Sequence, residues 1–343
     1  MKSNITAIIP VYNGRRYLRE AVESIAHQTL LPDRLIVIDD GSTDGSLEVL
    51  EGLALPMPLT VQTQVNAGQA ASRNKGIALA DTEFIALLDQ DDVWYPRHLE
   101  VLVQPLREDP DVGWAYSNCD SVAEDGTILN ARFLDCFPIT HPKRDLRTCL
   151  SEEMFILPSA SVIRKRAIEA VQGFDEQLVG YEDDDLFLRL FVEGWGNVYF
   201  PESHSFWRLH GANTIISRRM IASRRKFSAK LMAAYPDRPD RNEYWVRDCI
   251  APRFYSLNMA QYKWGLMTRD FGLSREVLVD MRKFAALAER GAATSILLFF
   301  LKYPLLIWTV LLGKRACAAG ASLLARPFKR RRGGKQRGRS DCA

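Results

Sequence analysis

The chain opens with a repeating alternation of short apolar runs and longer amphipathic stretches. Ile5-Thr6-Ala7-Ile8-Ile9-Pro10-Val11, Leu35-Ile36-Val37-Ile38 and Phe84-Ile85-Ala86-Leu87-Leu88 are near-continuous apolar segments of strand length, the pattern of strands covered on both faces. A weaker strand is expected at Leu59–Gln64. Between them, residues 15–28 put Tyr17, Leu18, Ala21, Val22, Ile25 and Ala26 on one helical face. Further helices are expected near 44–53 and over 67–80. Strands alternating with helices predict an α/β fold with a mainly parallel, Rossmann-like sheet and flanking helices.

After Asp92 the alternation loosens. A helix is expected over 96–107, a strand over 112–117, a hairpin turn at Glu124-Asp125-Gly126-Thr127, a short strand at 159–163 and a helix over 164–171. Residues 131–152 carry few periodic signals and are expected to form an acceptor loop. A helix after the acidic run at 182–185 buries Leu186, Phe187, Leu190 and Phe191, and a strand returns over 197–207. Residues 221–290 read as a helical extension, and 291–343 as an apolar helix or helix pair followed by a disordered basic tail. The expected division is therefore a catalytic domain over 1–220, the helical extension, and the C-terminal segment.

The most informative chemistry lies where the fourth apolar run ends. Asp89-Gln90-Asp91-Asp92 puts three carboxylates into four residues at the carboxyl end of a strand. Such a cluster repels itself and calls for a cation, and oxygen ligands suit Mg²⁺ or Mn²⁺. In an open α/β sheet, the crevice beyond the strand carboxyl ends is where ligands bind. A second acidic run, Glu182-Asp183-Asp184-Asp185, opens a helix. The helix dipole favours acids there, but four in a row repel one another.

Taken in order, Ile9-Pro10-Val11-Tyr12-Asn13-Gly14, Asp39-Asp40-Gly41-Ser42-Thr43-Asp44, Asn66 through Arg73-Asn74-Lys75-Gly76, Asp89-Gln90-Asp91-Asp92, and Glu182-Asp183 with Asp185-Leu186 and Leu188-Arg189-Leu190 resemble the family-2 inverting glycosyltransferases of the GT-A fold. The resemblance covers roughly residues 4–215. It implies transfer of a sugar from a nucleotide-diphosphate-sugar donor, with inversion, to a glycan or lipid-linked acceptor. It further implies donor contacts from Pro10, Tyr12, Asn13, Asp40, Arg73 and Asp91, with the Tyr12 ring against the base and Asp40 accepting a hydrogen bond from it. Metal contacts would come from Asp89, Asp91 and Asp92, with His210 of Trp207-Arg208-Leu209-His210 as a further ligand. The general base would be Asp183. Where the family has an aromatic residue between the acids, this chain has Asp184.

Composition narrows the alternatives. Six cysteines without a C-x-x-C pair argue for reduced thiols in a cytosolic setting. Ten of the 45 basic residues and one of the 42 acids fall from Lys314 onward, leaving 35 basic against 41 acidic before it. The basic tail after the apolar run 295–312 points to an anionic membrane surface at its cytoplasmic side, and the acidic body argues against nucleic acid. Lys302 and Pro304 within that run favour an interfacial or re-entrant arrangement over a single crossing. A nucleotidyltransferase would carry a Gly- and Lys/Arg-rich phosphate loop after the first strand, which Tyr12-Asn13-Gly14 does not supply. An inactive sugar- or nucleotide-binding scaffold remains open, although both carboxylate clusters are intact.

Overall fold

The computed structural model describes residues 2–210 and 218–288. The apolar run 295–312 and the basic tail, the basis of the membrane reading, lie outside the described residues. No described helix is long and apolar enough to cross a membrane. Cys119, Cys136, Cys149 and Cys249 are free thiols.

Nine strands form one sheet: β1 (Ile5–Val11), β2 (Arg34–Asp39), β3 (Leu59–Thr63), β4 (Phe84–Leu87), β5 (Val93–Trp94), β6 (Val112–Val122), β7 (Ile128–Asn130), β8 (Ser161–Arg164) and β9 (Gly196–Arg208). The order is β3-β2-β1-β4-β8-β6-β9-β5, with β7 on β6. The first four strands are parallel, as the alternation predicts. Beyond β4 the sheet is mixed, which corrects the expectation of a mainly parallel sheet. β8 runs antiparallel to both β4 and β6, and β5 antiparallel to β9, while β6 and β9 are parallel. β4 is thus the strand at which direction reverses. The hairpin at 124–127 forms as expected, with Gly126 at positive φ and the β6–β7 pair behind it.

The helices are α1 (Leu18–Ala26), α2 (Gln69–Leu79), α3 (His98–Glu108), α4 (Leu146–Ser151), α5 (Lys165–Ala170), α6 (Glu182–Val192), α7 (Arg218–Ala234), α8 (Ala251–Met267) and α9 (Phe271–Leu287). The helix expected over 44–53 is a single 3-10 turn, Leu47–Leu50, confined between Gly45 and Gly52, both at positive φ. The loop expected at 131–152 holds a 3-10 turn, Phe133–Cys136, and then α4, whose first turn is capped by Asp145 accepting from the Thr148 amide.

Side chains alternate across β1. Ile5, Ala7, Ile9 and Val11 point into a core shared with Leu18, Ala21, Val22 and Ile25 of α1 and Leu99, Leu102, Val103 and Leu106 of α3. Ile8 faces the opposite side, under α2. Pro10 lies in a central strand because β4 pairs only up to Leu87, opposite Ile8, so the ladder does not need an amide at residue 10 on that side. The compact unit carrying the sheet runs to Leu257 and includes α7; a second begins at Asn258. In the latter, the part of α8 from Asn258 onward leads through the short turn 268–270 into α9, and Asp270 caps α9 by accepting from the Leu273 amide.

Gly76 sets how closely α2 lies on the sheet. A Cβ there would come 2.5 Å from Ile8 Cγ2. Gly76→Val is expected to lift α2 and lower stability by about 1–3 kcal/mol. Urea denaturation measures this, and an unchanged midpoint would show that α2 does not rest on Ile8.

Candidate active site

The carboxyl ends of β1, β2 and β4 and the amino end of α6 meet at one edge of the sheet. After β1, Tyr12 is 49% exposed, with its backbone gripped by the residue between two of the acids. The Tyr12 amide donates to Gln90 Oε1 (2.9 Å) and Gln90 Nε2 donates to the Tyr12 carbonyl (3.1 Å). Gly14 leaves room for this, since a Cβ would stand 2.2 Å from Gln90 Oε1. Asn13, at φ +51, accepts the Thr43 amide on its side-chain oxygen (2.8 Å).

Asp39 is buried and accepts from the Ser42 amide, so it closes the turn after β2. Asp40 is buried and accepts from Gln64 Nε2, the Ala67 amide and the Gly68 amide, each at 2.8 Å. Its main occupation is to fix the entry to α2. A carboxylate accepts about four hydrogen bonds, which leaves one place for a ligand donor.

Arg73, expected at the donor's phosphates or ribose, is instead 1% exposed beneath the site. Its Nη2 meets Asp89 Oδ1 at 2.8 Å and its Nη1 meets Asp183 Oδ1 at 2.6 Å, with Glu182 Oε1 3.9 Å away. The guanidinium fork joins the end of β4 to the start of α6. Asp89 Oδ1 also accepts from Gln69 Nε2, and the Asp89 amide donates to Ser159 Oγ.

The other two acids of the first cluster diverge. Asp91 Oδ2 lies 2.6 Å from His210 Nε2, so these residues, 119 positions apart, come together. Asp92, expected beside metal and ribose, turns inward: it is 2% exposed and accepts the Arg208 amide at 3.0 Å. Arg208 directs its donors to the Asp91 carbonyl, the Glu124 carbonyl and Glu20, with its guanidinium over the Tyr17 ring. Asp92 and Arg208 thus lock the acidic turn to β9 and α1.

The second acidic run also divides. Asp184 accepts the Met154 and Phe155 amides and pairs with buried Arg253. Asp185 pairs with Arg189 and Lys230. Glu182 is buried, and its Oε2 has no hydrogen-bond partner. Asp183 keeps 28% of its side chain exposed and opens toward the crevice.

One cause underlies the acid–base behaviour. Asp89, Glu182 and Asp183 converge around Arg73, and Asp91 and Asp92 follow Asp89 on the same sheltered turn. Burial, with repulsion from Glu182, Asp89 and Asp184, raises the Asp183 pKa well above the ordinary range in spite of Arg73. Burial raises Asp92 strongly, aided by Asp91 and Asp89. It raises Asp91 against the pull of His210, and Glu182 against that of Arg73. Burial alone would lower Arg73, but Asp183, Asp89 and Glu182 carry it upward.

This charge pattern bears on the expected divalent ion. Among the described residues no three His, Cys, Asp or Glu side chains form a complete metal site. Asp91 and His210 supply two donor atoms side by side. At 2.6 Å they are hydrogen-bonded, and a cation would displace that bond. Mg²⁺ is commonly held by one or two carboxylates together with substrate phosphates, so the donor set and the excess of negative charge both fit. Asp89 is the less suited of the three, its Oδ1 being occupied by Arg73 and Gln69.

The glycosyl transferase family 2 model matches residues 6–172. An uncharacterized glycosyltransferase of Nostoc sp. is 30% identical over 230 residues, covering 64% of this chain and 69% of that protein. The chain belongs to glycosyl transferase family 2. It is also 27% identical over 227 residues to a hyaluronan synthase of Pasteurella multocida, but spans 22% of that much longer protein. The fold is that of S. aureus TarS 1-349 in complex with UDP-GlcNAc (TM-score 0.62, 18% identity, 89% of this chain and 87% of that one). It is also that of the mannosyltransferase PcManGT from Pyrobaculum calidifontis in complex with GDP-Man and Mn²⁺ (TM-score 0.53, 17% identity, 94% and 88%).

Three residues of this glycosyltransferase's site carry little sequence signal. Gln90, Ser159 and Arg253 act on backbone or on a buried acid, and only the three-dimensional arrangement identifies them. The electrostatics give a test. Because the folded-state pKa of Asp183 is raised, folding favours its protonated form; ionised Asp183 costs stability that grows as pH rises from the ordinary carboxylate range through the raised value. Asp183→Asn mimics the protonated form. Its melting temperature is expected to exceed that of the parent at pH 8 and to match it near pH 4. A difference independent of pH would show that the cluster does not disfavour the ionised form.

Proposed function

We propose that this enzyme transfers a sugar, with inversion, from a nucleotide-diphosphate-sugar donor to a glycan or lipid-linked acceptor, assisted by Mg²⁺ or Mn²⁺. The observation that carries this reading is the Asp89–Arg73–Asp183 bridge. It ties the carboxylate cluster suited to the donor end to a partly exposed carboxylate suited to the acceptor. The donors bound by TarS and PcManGT, UDP-GlcNAc and GDP-Man, support the same class of donor.

In this reading Tyr12 and Asn13 lie beside the base, with Pro10 setting the end of β1 and Asp40 offering its remaining acceptor place. Asp91 and His210 would hold the cation; the Mn²⁺ bound by PcManGT supports the use of a divalent ion. Bound there, a divalent ion neutralises charge on the departing diphosphate. Asp89 and Asp92 shape the turn that presents Asp91. Arg73 holds Asp183 and offsets part of the surrounding negative charge.

Asp183 takes the proton of the acceptor hydroxyl as that oxygen attacks the anomeric carbon from the face opposite the diphosphate. A raised pKa makes Asp183 a stronger base, and activity then falls on the acid side at a pH above the ordinary carboxylate range. Asp183→Asn is expected to lower kcat by at least about 10²-fold, leaving nucleoside diphosphate affinity with Mn²⁺ near that of the parent. Asp91→Asn is expected to do the converse, removing the metal dependence of binding in calorimetry with UDP or GDP. Equal affinity of the parent with and without Mn²⁺ would refute the metal assignment. Near-normal turnover of Asp183→Asn would move the base elsewhere.

The C-terminal segment would keep the enzyme at the cytoplasmic face of a membrane, through apolar residues 295–312 and the basic residues around them. Truncation before Ala292 is expected to leave an active protein in the supernatant after centrifugation with anionic vesicles, whereas the full chain pellets. A truncated protein that still pelleted would place the attachment in the body.

A further inference from the structure

Four aromatic rings from three separate segments come together outside the main core, one of the segments being held by Asp184, the chain neighbour of Asp183. Phe133 and Phe137 follow β7, Phe155 precedes β8, and Trp207 lies near the end of β9. Ring centroids are 5.0 Å apart for Phe133–Phe137, 4.8 Å for Phe137–Phe155, 6.2 Å for Phe133–Phe155 and 5.3 Å for Phe133–Trp207. Phe137 is 38% exposed. The two ends of the cluster adjoin the two ends of the site. The Phe155 amide is held by Asp184, the neighbour of Asp183 (3.2 Å). Trp207 precedes Arg208, whose amide is held by Asp92 and whose Nε reaches the Asp91 carbonyl.

Phe155 has φ +46, a conformation that a bulky side chain rarely adopts and that persists only where the surroundings impose it. Here they do. Asp184 accepts the amides of both Met154 and Phe155, and buried Arg253 holds Asp184 from behind. The Asp184–Arg253 ion pair thus fixes the backbone that carries the Phe155 ring into the cluster. At the rim, exposed Arg132 and Asp135 pair at 2.8 Å and offer both hydrogen-bond donors and acceptors.

We propose that Phe133, Phe137, Phe155 and Trp207 form the acceptor platform of this enzyme, and that its occupant is a pyranose ring. The inference rests on the glycosyl-transfer reading and names its acceptor side. An apolar C–H face of the sugar lies against the rings, the rim pair meets its hydroxyls, and the attacking hydroxyl points at Asp183. The area of four clustered rings suits one sugar ring better than a long acyl chain, and the charged rim would be costly to cover with lipid.

The test uses saturation-transfer NMR on the full chain with UDP or GDP and Mg²⁺ present. The probes are the methyl β-glycosides of glucose, galactose, mannose and N-acetylglucosamine. Ring protons of at least one glycoside are expected to show transfer. Phe137→Leu, which keeps apolar volume but loses the aromatic face, is expected to weaken binding about two- to tenfold, and Phe137→Tyr to retain it. No transfer to any of the four glycosides, or a Phe137→Leu protein that binds like the parent, overturns the proposal. So does loss of binding in both variants with a lowered melting temperature, since the rings would then be a small structural core. Calorimetry with UDP and GDP separates the two readings: a protein that binds neither refutes the donor assignment, whereas donor binding without glycoside binding refutes only the platform.

Discussion

The architecture of the site depends on burying one guanidinium. Arg73 reaches its position from the middle of α2, and α2 comes close enough only because Gly76, one turn on, rests against Ile8 of β1. A charge so placed is costly unless it is paired and hydrogen-bonded. Asp89 and Asp183 supply that pairing from segments 94 residues apart in sequence. The demand of Arg73 for partners is therefore what keeps the end of β4 and the start of α6 together. Removing the guanidinium itself would leave Asp89, Asp183 and Glu182 facing one another with no cation between them, and with the other acids added the site carries more negative than positive charge.

That juxtaposition also requires the reversal at β4. A parallel neighbour would have carried its own carboxyl end to the same edge as Asp89. The antiparallel β8 instead brings its beginning there, and Ser159 just before it holds the Asp89 amide and the Trp94 indole. On the proposed reading, the parallel half of the sheet would provide the donor crevice and the mixed half the acceptor side. Their seam runs through the acidic turn 89–92.

The first four strands, helices α1, α2 and α3 and the hairpin at 124–127 were legible in the sequence, because period and turn residues are local signals. The reversal at β4 was not, since β8 is a four-residue apolar run whose direction is set by a long connection. Site residues divide in the same way. The sequence identified which strand ends carry acids, but could not tell which acids face outward. Asp40, Asp92 and Asp184 each look equivalent to a neighbour, yet each is consumed by backbone amides that fold back on it. In the run 182–185, successive residues point about 100° apart around the helix, so one acid meets Arg73, the next meets Arg253 and the next meets Arg189. Asp91 and His210 pair across 119 residues, a proximity that no spacing rule reports.

The division of labour among the acids explains why so many are present. An ionised carboxylate in a sheltered site is stable only if something opposes it, and Arg73 alone cannot oppose five. Asp92 and Asp184 are therefore not spare ligands. Asp92 accepts the Arg208 amide and Asp184 accepts the Met154 and Phe155 amides with buried Arg253 opposite it, and in this way they fix the backbone around Asp91 and Phe155. Asp183 is left partly exposed, under-compensated and with a raised affinity for a proton, which destabilises the folded protein and suits a base. On the proposed reading, the stability lost at Asp183 and Asp91 would be the physical counterpart of their taking up a proton and a cation, so the same imbalance that weakens the fold is what the reaction would use.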